Sequence, residues 1–165
     1  MIKHVTEQIA LRPARLKDFA YCARLYFEGM ENIIKQLNLD KKAQLADFRR
    51  RWNVTQVRVV RLGRKDIGWL QSFAQDDTLF LAQLFVEKTL RGRGIGTGLL
   101  RGLIEEAATA GGALTLGVVK TNPALRLYQR FGFRITREDE RKFYMRRECG
   151  APEFGAPSLS NPSRQ

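Results

Sequence analysis

The sequence has few of the residues that usually serve as nucleophiles or metal ligands. It contains one histidine, His4, and two cysteines, Cys22 and Cys149, and Ser72 is the only serine that precedes residue 151. These scarcities argue against a Ser-His-Asp or Cys-His nucleophile, against a zinc site and against a disulfide framework. We therefore predict chemistry that needs neither a metal ion nor a histidine base.

The sequence also lacks a long hydrophobic run. Its longest uncharged apolar-rich stretch, residues 107–119, is interrupted by glycines and is shorter than the roughly 20 residues that a membrane helix needs. Residues 1–7 do not have the apolar stretch of a signal peptide. We expect a protein that does not enter membranes and that is located in the cytoplasm.

The net charge of +12 is spread evenly along the chain and forms no basic tail. The densest cluster, Arg49 to Arg51 followed by Trp52, is typical of an exposed helix end, where cations complement the helix dipole. A nucleic-acid patch is the less favoured alternative. A general positive field is equally suited to a small anionic ligand.

The first half of the chain changes from helical to strand periodicity. Apolar residues recur every three to four positions from Leu16 to Leu37, which indicates an amphipathic helix. Apolar and polar residues alternate around Val57 and Val59, which indicates a strand, and residues 64–66 suggest a hairpin tip. The predicted elements are strand 8–12, helices 16–37 and 41–52, and strands 57–63, 67–74 and 78–87.

The second half has the pattern of a β-α-β unit followed by a short helix and two strands. A helix after the glycine-rich residues 91–96 leads to Gly111-Gly112 and to a strand over 113–119, so strands 78–87 and 113–119 should be parallel. The short helix has Asn122 as its predicted N-cap, Pro123 at its first position and Gly132 just beyond its end. Strands over 133–136 and 141–147 complete a mixed sheet.

Composition divides the chain into a folded domain, residues 1–148, and a tail, residues 149–165. The tail holds three of the five prolines and three of the serines, so we expect it to be flexible. Its composition is compatible with a vector-derived origin. The predicted fold class is a mixed α+β domain.

The turn Arg91-Gly92-Arg93-Gly94-Ile95-Gly96 is the main candidate for a ligand site. Glycines allow a positive φ and a close approach of main-chain N–H groups to a ligand. The helix N-terminus and the two arginines add positive charge, so the turn is suited to phosphate or pyrophosphate. Neither the Rossmann nor the Walker pattern is present. The alternative is a tight β-α corner that binds nothing.

Two motifs together identify a family resemblance. The pattern Arg91-x-x-Gly94-x-Gly96 follows Leu84-Phe85-Val86, and residues 122–133 (NPALRLYQRFGF) come about 30 residues later. This combination closely resembles the GNAT superfamily of acetyl-CoA-dependent N-acetyltransferases. The resemblance implies a GNAT fold over residues 1–148, with a central, mixed, mostly antiparallel sheet of six to seven strands flanked by about four helices.

The resemblance also implies how acetyl-CoA would bind. The glycine-rich turn would hold the pyrophosphate, and strand 81–86 would splay from strand 113–119 to open a slot. The pantetheine arm would form hydrogen bonds with Phe85 and Val86, and a nearby N–H would polarise the thioester carbonyl. The cofactor-binding residues implied in this way are Leu84, Phe85, Val86, Arg91, Gly92, Arg93, Gly94, Ile95, Gly96, Thr97 and Asn122.

For catalysis, the resemblance makes Tyr128 the general acid that protonates the departing thiolate; a core aromatic is the alternative. The acceptor amine must lose a proton, yet neither central strand carries an acid before Glu87. Gln83 either orients the substrate or a relaying water, or is structural. Glu31, with Glu28, is a candidate base or amine-binding carboxylate, or part of a solvated helix face.

The sequence is compatible with three functions. The leading hypothesis is an acyltransferase that moves an acetyl group from acetyl-CoA to a primary amine by direct attack in a ternary complex. Its partner would be a small-molecule or peptide acceptor; a polycationic acceptor is disfavoured because the chain lacks an acidic cluster. The second is a non-catalytic acyl-CoA sensor, and the third is a nucleic-acid binder. The oligomeric state stays open, and a homodimer is compatible with the sequence.

Overall fold

The structure is a computed structural model that describes residues 8–150. Strands and helices are numbered separately in chain order. The strands are β1 (Ile9–Pro13), β2 (Val57–Leu62), β3 (Lys65–Gln75), β4 (Thr78–Val86), β5 (Ala113–Val119), β6 (Arg134–Glu138) and β7 (Lys142–Glu148). The α-helices are α1 (Phe19–Gln36), α2 (Lys41–Arg51), α3 (Ile95–Thr109) and α4 (Leu125–Arg130).

Across residues 8–150 the strands form one seven-stranded sheet in the order β1-β2-β3-β4-β5-β7-β6. The pair β4–β5 is parallel, and every other neighbouring pair is antiparallel. The mixed, mostly antiparallel sheet and the four helices predicted from the sequence are confirmed. The parallel pair follows from the crossover through α3, since parallel strands need a long connection.

The sheet carries a separate apolar core on each of its faces. On one face α1 and α2 bury Leu25 and Phe48 against Trp69 of β3. On the other face α3 buries Leu100 against Leu114 of β5. Alternate residues of a strand point to opposite faces, and the apolar stripe of each helix covers one of them.

A partly buried ion-pair network joins β1, the start of α1 and β3. The guanidinium of Arg12 donates to both carboxylate oxygens of Asp18 at 2.9 Å and to Asp66 Oδ2 at 2.8 Å. Asp18 also accepts the main-chain N–H of Arg15 at 2.7 Å, where a short 3-10 turn precedes α1. Hydrogen bonds from Arg12, followed by that from Arg15, lower the pKa of the Asp18 carboxyl despite its burial.

The predicted start of the fourth helix is wrong, whereas its end is confirmed. Asn122 Oδ1 accepts the N–H of Ala124 at 2.9 Å, and this local turn delays the helix, so Ala124 is the N-cap of α4. At the other end Gly132 has a φ of +86°. The N–H of Phe133 donates to the carbonyl of Tyr128 at 3.1 Å, which closes the helix in a Schellman motif.

Two further boundaries differ from the prediction. Asp66 is part of β3, because Gly63 takes a left-handed conformation (φ +61°) and the hairpin turns at residues 63–64. Cys149, predicted to begin the tail, is buried, and its N–H donates to the carbonyl of Gly112 at 3.1 Å. His4 and residues 151–165 lie outside the described part of the chain. None of the helices in that described part has the length and apolarity needed to cross a membrane.

Candidate active site

The parallel strands β4 and β5 separate halfway along their length. They pair from Thr78 with Ala113 as far as Leu81 with Leu116, and the pairing stops there. Strand β5 nevertheless stays paired with β7 as far as Val119. The second halves of β4 and β5 therefore enclose a slot.

A β-bulge marks the point where β4 leaves β5. In the ladder between β3 and β4, Gln71 pairs with Gln83 and Ser72 pairs with Leu81, so Ala82 is the extra residue. A bulge bends its strand and increases the local twist. This bend directs residues 83–86 away from β5.

The free main chain along the slot belongs to Leu84 and Val86. The N–H of Glu87 donates to Ile67 at 2.8 Å, and hydrogen-bonded pairs alternate along an antiparallel ladder, so Phe85 is bonded to Trp69 of β3. The main chain of Phe85 is therefore used within the sheet, and its predicted hydrogen bond to pantetheine stays a prediction. Leu84 and Val86 face the slot, and Val86 already accepts a hydrogen bond from Arg91 Nε at 3.2 Å.

The glycine-rich turn beyond β4 directs a row of main-chain N–H groups to solvent. Gly92 and Gly94 have φ values of +78° and +80°, which L-residues with a side chain rarely adopt, and Gly94 is the N-cap of α3. Gly98 is the first residue after Arg91 whose N–H forms a hydrogen bond; it donates to the carbonyl of Gly94 at 3.0 Å. Within residues 8–150, no N–H from Gly92 to Thr97 has a hydrogen-bond partner. Such a row of donors at a helix N-terminus is suited to an anion.

A cleft of about 280 Å³ opens at the slot, between the end of α1, α2, the separated strands and the start of α4. Several of the sequence-predicted residues lie on its wall together: Gln83, Leu84, Phe85, Asn122 and Tyr128. Val86 and the turn from Arg91 to Thr97 lie at the end of the same strand, outside this wall. The predicted acid and the free edge of β4 therefore line the same cleft.

The Tyr128 side chain is half-buried and points its ring against Phe133, with the ring centroids 5.7 Å apart. Its hydroxyl has no hydrogen-bond partner among the described residues. Burial raises the pKa of Tyr128, because desolvation disfavours the phenolate. The phenol therefore keeps its proton at neutral pH and is free to donate it.

Gln83 and Gln71 are paired across β3 and β4 but have different roles. Gln71 is 4% exposed, and its amide donates to the carbonyl of Arg51 and to Gln56 Oε1, both at 2.9 Å. This buried amide, which the sequence does not reveal, holds the end of α2 on the sheet. The side chain of Gln83 is half-buried and has no hydrogen-bond partner within residues 8–150.

Glu31 is not brought to the cleft. Its carboxylate is 62% exposed and pairs with Lys35 at 3.2 Å on the outer side of α1. Glu28 pairs with Arg24 at 3.0 Å, and Arg24 also binds Glu87 at 2.9 Å. The cleft-facing side of α1 is instead formed by Met30, Ile33 and their neighbours.

Asp47 is the carboxylate that lies on the cleft wall, and sequence reasoning missed it. It is on α2, its side chain is 29% exposed, and its partners are Arg50 and Arg51, the latter at 3.2 Å. The pKa of nearby Tyr26 is raised first by burial and then by the negative charge of Asp47. No local pattern in residues 41–51 indicates that this helix covers the slot.

The comparison with known families agrees with this geometry. The model of the acetyltransferase (GNAT) domain matches residues 53–135, which include β4, the glycine-rich turn, α3 and α4. The chain belongs to the GNAT acetyltransferase family. Membership of the GNAT family supports acetyl transfer, with an acyl-CoA as donor.

Solved structures with the GNAT fold resemble nearly the whole described domain. The PaiA N-acetyltransferase of Thermoplasma acidophilum, solved with coenzyme A, has a TM-score of 0.69 at 16% identity over 85% of this chain and 98% of its own. An acetyltransferase of Thermus thermophilus has a TM-score of 0.67 at 18% identity over 86% and 97%. An N-acetyltransferase of Staphylococcus aureus has a TM-score of 0.63 at 20% identity over 83% and 98%. At these identities the likeness shows the fold. No curated protein matched the sequence.

Proposed function

We propose that this protein transfers the acetyl group of acetyl-CoA to a primary amine by direct attack in a ternary complex. The observation that carries the proposal is the slot between β4 and β5, whose free main chain continues into the N–H groups of residues 92–97. The free edge of β4 is suited to an extended arm that carries amide groups. The N–H groups of residues 92–97, at the end of the slot, are suited to a diphosphate. The family membership supports the same donor.

The donor site has the positive charge that a polyanionic donor requires. Arg91 and Arg93 flank Gly92 in the turn, and both are exposed. A groove between α3 and α4, lined by Thr97, Arg101 and Arg130, begins at the same turn. We assign the diphosphate to the N–H groups of residues 92–97 and the nucleotide end to this groove.

The cleft residues supply a proton and an oxyanion donor for the transfer. The amine nitrogen forms a bond to the acetyl carbon, and the N–H of Leu84 stabilises the negative charge that develops on the carbonyl oxygen. The carbon–sulfur bond then breaks, and Tyr128 Oη gives its proton to the departing thiolate. The proton lost by the amine leaves through Asp47 or a water beside Gln83, and Tyr128 regains a proton from solvent.

Asp47 takes the place that the sequence analysis gave to Glu31. An alkyl ammonium with a pKa of about 10.4 is almost fully protonated at neutral pH, so a carboxylate or water has to accept its proton. Asp47 lines the cleft together with Gln83 and Tyr128, whereas Glu31 lies on the outer side of α1. We therefore assign this step to Asp47.

The test combines calorimetry with a thiol-release assay. We expect acetyl-CoA to bind and free thiol to appear only when an amine acceptor is added. Binding of acetyl-CoA without thiol release across a broad amine panel would favour the acyl-CoA sensor. Absence of binding to coenzyme A would remove both functions.

A further inference from the structure

Two cations, Arg141 and Lys142, line the cleft at the start of β7. Within residues 8–150 neither of them forms an ion pair. Lys142 packs over β5, where its Cδ lies 4.0 Å from the position that a Cβ on Gly117 would take. Arg141 therefore has no carboxylate partner in the described part of the chain, and the charge of Lys142 is offset only in part by the nearby Asp139 carboxylate, whose pKa Lys142 helps to lower.

The turn that carries these cations is held in place by Asp139. Its Oδ1 accepts the main-chain N–H groups of Arg141 at 2.8 Å and Lys142 at 2.7 Å. Its Oδ2 accepts the hydroxyl of Tyr144 at 2.9 Å. Because both oxygens of Asp139 are used in this way, the turn presents the two cations from a fixed main chain.

The part of the cleft wall formed by α2 holds a third cation beside its carboxylate. Arg51 Nε pairs with Asp47 at 3.2 Å, and the carbonyl of Arg51 accepts the buried amide of Gln71 at 2.9 Å. The charged residues of the wall are therefore Asp47, Arg51, Arg141 and Lys142, so cations exceed carboxylates. The N–H groups assigned to the diphosphate, from Gly92 to Thr97, lie outside this wall.

We propose that the acceptor carries an anionic group, carboxylate or phosphate, in addition to its primary amine. This inference rests on the proposed acetyl transfer and narrows its substrate class. Arg141 and Lys142 bind the anionic group, while Asp47 and Gln83 face the amine. Polycationic acceptors are repelled, because the wall itself has an excess of positive charge.

The first experiment compares acceptors in matched pairs by thiol release. Leucine is compared with leucinamide, which lacks the carboxylate, and phosphoethanolamine is compared with ethanolamine, which lacks the phosphate; spermidine represents polycations. We expect the anionic member of at least one pair to have a kcat/KM about ten-fold higher than its neutral partner. The two pairs distinguish carboxylate from phosphate as the preferred group.

The second experiment removes the cations. Arg141→Gln and Lys142→Met should each raise KM for the preferred anionic acceptor about ten-fold and leave KM for its neutral partner within about two-fold. Arg134→Gln, on the exposed strand β6, is the matched control and should change neither value. Calorimetry with acetyl-CoA and thermal melting check that each variant is folded.

The outcomes separate this inference from the function on which it rests. Equal or better turnover of the neutral amines or of spermidine overturns the inference and leaves acetyl transfer intact. Variants that weaken both members of a pair equally overturn it as well. Thiol release with no amine at all, despite acetyl-CoA binding, overturns the proposed function.

Discussion

Tyr128 combines a free hydroxyl with a pKa that burial raises, so it is protonated when the thiolate departs. We expect Tyr128→Phe to lower kcat about ten-fold or more, because the phenyl ring has no proton to give. The affinity for acetyl-CoA should hardly change, since the ring and its contact with Phe133 are kept. Steady-state thiol release and calorimetry measure the two quantities. A variant with the wild-type kcat would remove Tyr128 from the mechanism.

Asp47 and Glu31 form a matched pair of carboxylates on neighbouring helices. Asp47→Asn should lower kcat/KM for the acceptor about ten-fold, because the cleft loses its negative charge. Glu31→Gln should behave as the wild type, since its exposed ion pair with Lys35 contributes little. Kinetics at saturating acetyl-CoA compare the two. The opposite ranking would restore Glu31 as the functional carboxylate.

At the residue scale, the sequence predicted the cleft residues that belong to compact motifs and missed those that depend on packing. Tyr128 and Asn122 lie within one short motif, and the structure puts both on the cleft wall. Asp47 reaches the same wall because α2 packs against α1 and β3, which no spacing along residues 41–51 reveals. Glu31 is one residue away from cleft-lining Met30, and one step along a helix turns a side chain by about 100°.

At the scale of elements, two glycine substitutions test the role of the glycine-rich turn. One lies at the N-cap of α3, and the other, its control, lies within the helix. Gly94→Ala forces alanine to a φ of +80° at the N-cap, which should cost about 1–2 kcal/mol and weaken acetyl-CoA binding. Gly102→Ala lies mid-helix, exposed and with open space around its Cβ, so it should stabilise the protein by about 0.5–1 kcal/mol without changing affinity. Urea unfolding and calorimetry measure both effects. Equal affinity in the two variants would contradict a role for the turn.

The regular elements followed from periodicity, whereas the start of α4 and the bulge within β4 did not. Apolar residues recur at helical spacing from Leu16 to Leu37, and β4 is apolar almost throughout. Few structures other than an amphipathic helix and a buried strand explain these two patterns. The start of α4 was misplaced because the Asn122 side chain bonds to its own local main chain, a competition that the sequence Asn-Pro does not resolve. The bulge at Ala82 has no sequence signature either.

For the molecule as a whole, acid stability should depend on the network around Arg12. The folded state lowers the pKa of Asp18, so its contribution to stability is present above the unfolded pKa of about 3.9 and is lost as pH falls through the folded pKa. Asp18→Asn should therefore cost about 1–3 kcal/mol at neutral pH, and the gap from the wild type should close below about pH 4. Urea unfolding across this pH range measures the gap. Glu140→Gln, at an exposed carboxylate with no ion pair or hydrogen bond within residues 8–150, is the control and should show no gap at any pH.

The arrangement of whole layers was predictable only through the family resemblance. Periodicity indicates seven strands and four helices, but the order β1-β2-β3-β4-β5-β7-β6 depends on pairings far apart in sequence. The packing of α1 and α2 on one face, which forms one side of the cleft, is likewise a tertiary result. The sequences of α1 and α2 alone do not indicate this packing.

Because β4 and β5 separate, the sheet has an unpaired strand edge in its middle as well as along its two outer strands. Unpaired strand edges are templates for pairing with other extended chains, and the stretch from Leu84 to Val86 is apolar. Without a bound donor, this unpaired edge can pair with an extended segment of another molecule and so promote aggregation. A bound donor would cover the edge. Light scattering during mild heating should show later aggregation when coenzyme A is present.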